Sequence, residues 1–132
     1  MVAITFQVNP AVEQIAMNTL FAATWEGHQE RDFAPVLSRS LAYICAYEQE
    51  RLVGFVNVAW DGGVHAFLLD TTVHPYYQRL GIGSSLVQQA IACAYERGVH
   101  WLHVDYEAHL DGFYRECGFQ PTLAGLIRLN GA

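Results

Sequence analysis

With 132 residues, 52% of them hydrophobic and 15% charged, the chain is long enough to bury a core and unlike a disordered protein. The net charge is −6 and all seven basic residues are arginines, which argues against nucleic acid as a partner. No apolar run reaches the roughly 18 residues of a membrane span, and the first residues show no signal-peptide pattern. We therefore expect one domain over residues 1–132, located in the cytoplasm and not bound to a membrane.

The first third of the chain is predicted to contain one strand and two helices. Residues 4–9 have strand-forming composition and end at Pro10, while residues 11–24 carry apolar side chains at helical spacing. Asn9 is the predicted N-cap of that helix, because its side chain can accept a hydrogen bond from a free amide of the first turn. A shorter helix is predicted over residues 32–39.

Three strands are predicted next. Residues 41–48 and 52–61 flank a short polar turn, a spacing that is typical of a hairpin. A second turn with two glycines leads to residues 65–73, where strand-forming residues continue almost to Pro75. These three strands are expected to be antiparallel neighbours in one sheet.

The last part of the chain alternates helices and strands. A helix that begins near Ser84 and stops at Gly98 precedes a strand over residues 101–106, which implies a parallel neighbour for that strand. A short helix over residues 110–117 and one or two strands over residues 119–130 complete the pattern. The predicted order is β-α-α-β-β-β-α-β-α-β.

A glycine-containing loop joins the predicted strand 65–73 to the helix after it. Gly81 and Gly83 carry no Cβ, so a ligand can approach the backbone closely there. The free amides and the positive dipole end of the following helix suit a phosphate or a pyrophosphate. Ser84 stands where the P-loop of nucleotide-binding enzymes requires lysine, and Leu86 stands where the dinucleotide fingerprint requires glycine. Another kind of anion site is therefore indicated.

Two short motifs resemble those of a known enzyme family. The string Gln78-Arg79-Leu80-Gly81-Ile82-Gly83 follows Val73-His74-Pro75-Tyr76-Tyr77, and Tyr114-Arg115-Glu116-Cys117-Gly118-Phe119 lies further along the chain. They resemble the Gln/Arg-x-x-Gly-x-Gly/Ala and Tyr-x-x-x-Gly-Phe signatures of the GNAT superfamily, the acyl-CoA-dependent N-acyltransferases. The resemblance covers residues 65–119 and implies a single α+β domain. In that fold about four helices flank a mixed, mostly antiparallel sheet of six to seven strands.

The resemblance also implies acetyl-CoA as cosubstrate and assigns the residues that hold it. The pyrophosphate is expected on the backbone amides of Arg79, Leu80, Gly81, Ile82, Gly83 and Ser84. The pantetheine arm is expected beside the preceding strand, bonded to the main chain of Thr71, Thr72 and Val73. No metal is expected, since the three cysteines lack the spacing of metal ligands.

Tyr114 occupies the family position that often faces the cofactor sulfur, so it is the expected acid that protonates the departing thiolate. A base is harder to assign, because the strand positions that often carry it in the family hold Phe67 and Leu69. Asp70 is the expected catalytic carboxylate if a β-bulge turns it to their face, and His65 or a chain of waters is the alternative. The other five histidines are assigned to surface or core positions.

We expect an N-acetyltransferase that moves an acetyl group from acetyl-CoA to a primary amine of a small molecule or peptide by direct attack. The net negative charge is compatible with a cationic acceptor. The oligomeric state is left undetermined by the sequence, and a homodimer is possible. A non-catalytic acyl-CoA-binding sensor or partner protein is the alternative. It draws support from the missing strand base and from Glu107, which stands where the family often has asparagine.

Overall fold

A computed structural model describes residues 2–131 of the chain. In these residues, strands and helices follow one another as β1 (Ile4–Val8), α1 (Gln14–Thr24), α2 (Ala34–Arg39), β2 (Ala42–Glu48), β3 (Arg51–Trp60), β4 (His65–Val73), α3 (Ile82–Glu96), β5 (Trp101–His103) and α4 (Asp111–Glu116). Two 3₁₀ turns, Pro75–Tyr77 and Ala108–Leu110, lie before α3 and α4.

The strands form one mixed sheet in the order β1-β2-β3-β4-β5. The first four strands run antiparallel to their neighbours, and β5 runs parallel to β4 because helix α3 carries the chain back across the sheet. The predicted hairpin is present between β2 and β3, and it turns at Gln49, whose φ is 54°. The α+β class and the predicted parallel neighbour are therefore confirmed.

Hydrophobic clusters cover both faces of the sheet. On one face, α3 buries Leu86 and Val87 against side chains of β2, β3 and β4. On the other face, α1 buries Met17 in a cluster with Phe55 of β3. Strand β3 is buried from Leu52 to Val58, because it lies in the middle of the sheet with a helix on each face.

The predicted number of strands, six to seven, is wrong. Five strands are present in residues 2–131, and the segment 119–130, predicted to form one or two more, contains none. Pro121 cannot donate to a sheet ladder, and the large apolar side chains beyond it are exposed instead of packed. Strand β5 likewise ends at His103 and does not continue to residue 106.

The predicted cap at Asn9 is also wrong. Helix α1 begins after Glu13, and Asn9 instead has a left-handed φ of 55°, which asparagine tolerates. Its backbone N–H donates to the Tyr43 carbonyl at 2.8 Å, and its side-chain oxygen accepts from the Tyr43 amide at 2.9 Å. Asn9 therefore prolongs the pairing of β1 with β2.

Across residues 2–131, no helix combines the length and the apolar character needed to cross a membrane. In the same residues, no three His, Cys, Asp or Glu side chains are grouped so that they can hold a metal ion. Cys45, Cys93 and Cys117 are free thiols, two of them buried.

Candidate active site

Strands β4 and β5 open away from each other. Strand β5 pairs only with the first part of β4, from His65 opposite Trp101 to Phe67 opposite His103. Beyond that point, in the part of the chain that the structure describes, the edge of β4 from Leu68 to Val73 has no neighbouring strand. An extended ligand can therefore add to this open edge through main-chain hydrogen bonds.

A β-bulge lies within the open stretch of β4. On β3 one residue, Val56, lies opposite two residues of β4, Asp70 and Thr71. Asp70 has a left-handed φ of 57°, which aspartate adopts more readily than most residues. Before the bulge the even-numbered Leu68 packs on the cluster under α3, whereas beyond it the odd-numbered Val73 does. The extra residue therefore changes which β4 side chains face each side of the sheet.

The bulge turns the Asp70 carboxylate toward the loop between α1 and α2. Its Oδ2 lies 4.0 Å from Nη2 of Arg31, whose guanidinium lies over the ring of Phe33 at 4.5 Å. Desolvation raises the pKa of Asp70, and the positive charge of Arg31 opposes part of this rise. The Asp70 side chain is 42% exposed, so solvent weakens the ion pair and a substrate can reach the carboxylate.

Tyr114 lies on the opposite face of β4, close to Thr71. Helix α4 carries it into the cluster that α3 also covers, where its ring stacks on Tyr106 at 4.8 Å and meets Phe119 edge-on. Burial raises the pKa of Tyr114, and the hydroxyl of Thr71 lowers it in part. The phenol is therefore protonated at neutral pH and lies next to the open edge of β4.

The loop between β4 and α3 carries a run of free backbone amides. Arg79 and Gly81 have φ values of 65° and 81°, so the chain passes twice through the left-handed region before α3 begins. Among residues 2–131, no backbone carbonyl accepts a hydrogen bond from the amides of residues 79–84. Free donors at the positive end of a helix dipole favour a bound anion.

The two glycines of this loop serve different purposes. Gly81 needs its left-handed φ, and a Cβ at that position would point into open space. Gly83 lies in the first turn of α3, and a Cβ there would lie 3.5 Å from Phe113 and 3.6 Å from Val73. Gly81 therefore shapes the loop through its backbone, whereas a Cβ at Gly83 would make only ordinary van der Waals contacts with α4 and β4.

Two histidines meet at the closed end of the opening. Nδ1 of His65 lies 2.8 Å from Nε2 of His103, and the His103 ring stacks on Phe67 at 4.9 Å. The parallel register places these side chains on one face of the sheet, the same face as Asp70. Sequence reasoning missed the pair, since it assigned His103 to the surface or the core. Only the alignment of β4 with β5 brings the two imidazoles together.

A comparison with protein families identifies one whose sequence pattern matches this chain. A sequence model described as the Acetyltransferase (GNAT) family matches residues 10–119. The chain belongs to the GNAT acetyltransferase family. The matched residues run from α1 to the end of α4, so they include the open edge, the bulge and the loop before α3.

Several GNAT relatives are similar over much of the chain. The structure of a GNAT family acetyltransferase from Streptococcus pneumoniae TIGR4 matches with a TM-score of 0.83 and 29% identity, covering 97% of this chain and 98% of that one. The chloroplastic GCN5-related N-acetyltransferase 1 of Arabidopsis thaliana is 28% identical over 115 residues, which are 83% of this chain and 57% of the relative. The chain spans between 32% and 57% of the length of the first curated relatives it matches.

A second similar structure carries a ligand related to the expected cosubstrate. AAC(6')-Iy, in complex with the bisubstrate analogue CoA-S-monomethyl-acetylneamine, has a TM-score of 0.76 at 14% identity, over 98% of this chain and 99% of that one. At that identity the likeness shows the fold alone.

The residues of the GNAT chain fit an acyl-CoA. The amides of residues 79–84 are free for a pyrophosphate, and Thr71 lies on the open edge of β4 beside Tyr114. The Thr72 side chain is buried and accepts from the Trp25 indole, so a contact with pantetheine there must use the main chain. The Val73 carbonyl already accepts from Nε2 of Gln78 at 3.3 Å, and a ligand bonded to that oxygen would compete with it.

The predicted site residues therefore gather around one stretch of strand. Asp70 and Tyr114 flank the open edge of β4 on opposite faces, and the predicted phosphate loop follows directly after it. Glu107, the departure from the family pattern, is exposed, with Oε2 3.7 Å from Nδ1 of His109. Trp25 was not among the predicted site residues, because nothing in its local sequence indicates that it reaches β4.

Proposed function

We propose that this GNAT acetyltransferase moves an acetyl group from acetyl-CoA to a primary amine of a small molecule or peptide by direct attack. The observation that carries the proposal is the open edge of β4, which has Tyr114 on one face, Asp70 on the other and free amides at its end. Transfer from a thioester needs an extended binding site, an anion site for the pyrophosphate and groups that move two protons.

The chain holds the cosubstrate mainly through its backbone. The amides of residues 79–84 bind the pyrophosphate, and the main chain of residues 71–73 binds the pantetheine arm. Acetyl-CoA supplies the activated acyl group when it is bound. Because backbone donors need no ionisable side chain, cosubstrate binding should depend little on pH in the neutral range.

Tyr114 acts as the acid. As the amine nitrogen bonds to the acyl carbon and the C–S bond breaks, the phenol gives its proton to the sulfur, and a thiol leaves. Burial raises the pKa of Tyr114, so the phenol still holds its proton at neutral pH when the thiolate forms. The hydroxyl of Thr71, on the open edge of β4, lies beside the phenol.

Asp70 acts as the base and takes the proton that the amine nitrogen loses. Its raised pKa makes the carboxylate a stronger proton acceptor than an ordinary aspartate, and its partial exposure leaves it accessible. The His65–His103 pair lies on the same face and is the alternative acceptor, as is water.

The acceptor is a cationic amine. The net charge of −6 supports this charge preference, as does the carboxylate of Asp70, which lies on the side of the sheet proposed to receive the acceptor. The relatives' names do not narrow the acceptor further. They include a histone acetyltransferase from Glycine max, 29% identical over 79 residues, and a chloroplastic serotonin N-acetyltransferase from rice, 35% identical over 69 residues.

The test is release of free thiol from acetyl-CoA in the presence of a panel of primary amines: polyamines, arylalkylamines, aminoglycosides and lysine-containing peptides. A rate that saturates with one amine, and that the Tyr114→Phe, Asp70→Asn double variant loses, is the expected result. If acetyl-CoA binds but no amine causes thiol release, the proposed acetyltransferase activity is contradicted and the acyl-CoA-binding sensor is favoured.

A further inference from the structure

The loop between α1 and α2 places a positive charge beside the proposed base. Nη2 of Arg31 lies 4.0 Å from Oδ2 of Asp70. The same guanidinium lies over two aromatic rings, 4.5 Å from the centre of Phe33 and 5.6 Å from the centre of Phe21. A carboxylate and the faces of aromatic rings are groups that bind cations in proteins. We name these three side chains the cation cage, and the chain's own Arg31 fills it.

The backbone of Arg31 is anchored, whereas its head group is not. The side-chain oxygen of Asn18 accepts from the Arg31 amide at 3.0 Å, and Nδ2 of Asn18 donates to the Arg31 carbonyl at 2.9 Å. Among residues 2–131 the guanidinium forms a salt bridge with Asp70 alone, and the Arg31 side chain is 49% exposed. The head group can therefore turn into solvent while the loop that carries it stays in place.

The ion pair inside the cation cage is weak enough for a second cation to displace it. The side chains of Arg31 and Asp70 are both close to half-exposed, and water and salt screen such pairs. The rings that line the cage do not depend on Arg31, because Phe21 and Phe33 are buried in the cluster under α1. A cation that replaces the guanidinium therefore meets a carboxylate and an aromatic surface that are already in position.

The charge of the cation cage matches one cation at a time. Among residues 2–131, Arg31 is the only charged group that shifts the pKa of Asp70, so no second carboxylate acts on the cage. His65 and His103 lie further along the same face and bond to each other, while His28 bonds to a side chain of α1. An ammonium ion and the guanidinium together would leave one positive charge without a partner. The two cations therefore exclude each other.

We propose that Arg31 occupies the place of the acceptor's ammonium group in the free enzyme, and that a cationic acceptor binds by displacing it from the cation cage. The inference rests on the proposed function, because it takes Asp70 as the base beside which the amine is held. Displacement brings the ammonium group next to the carboxylate that receives its proton. A neutral group gains nothing by replacing the guanidinium, so Arg31 makes the site selective for cations.

The first experiment removes the head group and refills the cation cage from solution. The KM of Arg31→Ala for a cationic amine should be about two- to fivefold lower than that of the parent, the range that an exposed ion pair contributes. Added methylguanidinium should raise the KM of this variant and leave its kcat unchanged. In the parent, where Arg31 already fills the cage, the ion should have little effect.

Arg39→Ala is the matched control for the first experiment. Arg39 is an exposed arginine on α2 whose guanidinium donates to the Pro35 carbonyl at 3.0 Å, so its loss should leave KM and the effect of methylguanidinium as in the parent. Far-UV circular dichroism checks that each variant is folded. Inhibition that is not competitive with the amine, or that is equal in Arg31→Ala and the parent, would overturn the proposal.

The second experiment reads the cation cage without any acceptor. Carbon-13 NMR of the Asp70 carboxyl should give a higher pKa in Arg31→Ala than in the parent, because the opposing positive charge is removed. Methylguanidinium should lower this pKa again in the variant, and Arg31→Lys, which keeps the charge, should stay near the parent.

The two experiments separate failure of the inference from failure of the proposed function. If no amine supports thiol release but the pKa of Asp70 shifts as expected, the acetyltransferase and the acceptor's place in the cage are refuted, and the cage stands as a cation site. If thiol release occurs but Arg31→Ala leaves the pKa of Asp70 unchanged, the enzyme stands and the role of Arg31 is refuted.

Discussion

The indole Nε1 of Trp25 donates to the hydroxyl of Thr72 at 3.0 Å, although the two residues lie 47 positions apart. The same hydroxyl donates to the carbonyl of Asp70 at 2.8 Å. The residue that follows α1 is thereby tied through two hydrogen bonds to the bulge of β4. Since Asp70 has a left-handed backbone, this connection helps to hold the carboxylate on the side of the sheet where it meets Arg31.

Trp25→Phe keeps an aromatic ring and removes the indole donor. We expect the free energy of unfolding to fall by about 1 kcal/mol, the usual net value of one hydrogen bond, and kcat/KM to fall as the bulge loosens. A double-mutant cycle with Thr72→Val, measured by urea denaturation, isolates the bond, because Val keeps the shape of Thr without its hydroxyl. Strictly additive effects of the two substitutions would show that the hydrogen bond contributes nothing.

Gly81→Val should weaken binding of CoA strongly. A branched residue is strained at the φ of 81°, so the loop would shift and misalign the amides of residues 79–84. In the parent, CoA at a hundred times its Kd should raise the unfolding free energy by about 2.7 kcal/mol, read from thermal shifts. Gly98→Val is the matched control, because Gly98 follows the other end of α3 with a φ of 83°. Both variants should lose intrinsic stability, but only Gly98→Val should keep full protection by CoA.

Tyr114→Phe should lower kcat and leave the affinity for acetyl-CoA nearly unchanged. The substitution keeps the ring that packs on Tyr106 and removes only the proton donor, and general acids contribute about 10²- to 10⁴-fold. Tyr106→Phe is the control, since its hydroxyl donates to Asp111 at 2.8 Å and is not directed at the site. An unchanged kcat in Tyr114→Phe, under conditions where chemistry limits the rate, would make Tyr114 a packing residue.

The dependence of kcat/KM on pH should reveal the base. If Asp70 takes the proton, the rate falls as the pH drops through its pKa, and the midpoint lies above that of an ordinary aspartate because desolvation raises this pKa. The midpoint should stay the same for amines of different pKa once their own ionisation is corrected for. Asp70→Asn should abolish this fall of kcat/KM at low pH and lower the rate. His65→Gln and His103→Gln should leave the fall at low pH in place. If the fall of kcat/KM at low pH disappears in the His103 variant, the base is the imidazole pair.

Asp70→Asn should not act by unfolding the protein. A folded-state pKa above the unfolded one means that the ionised carboxylate is less stable in the fold, so the contribution of Asp70 to stability declines as the pH rises through this window. Asn also tolerates the left-handed φ of 57°. The melting temperature of the variant at neutral pH should therefore equal or slightly exceed that of the parent, and a large decrease would contradict this account.

The sequence by itself determined the elements whose signals are local. Strand-forming composition ending before Pro75 predicted β4 over residues 65–73, helical spacing predicted α3, and the glycines with their flanking motif predicted a phosphate-binding loop. The short helix that carries Tyr114 was also predicted from its local sequence, whereas a place for Tyr114 near the cofactor was expected only from the family resemblance. Each of these features depends on residues that are close together in the sequence, so a short stretch of sequence is enough to predict it.

Only the tertiary structure decided the features that depend on pairing between distant segments. The bulge at Asp70 arises because β3 and β4 lose register between Phe55 and Asn57, and no local pattern in β4 records that slip. The contact of His65 with His103 needs the parallel alignment of two strands that α3 separates. The predicted strand over residues 119–130 fails for the same reason. A strand needs a partner as well as a propensity, and in the described residues this segment pairs with no strand of the sheet.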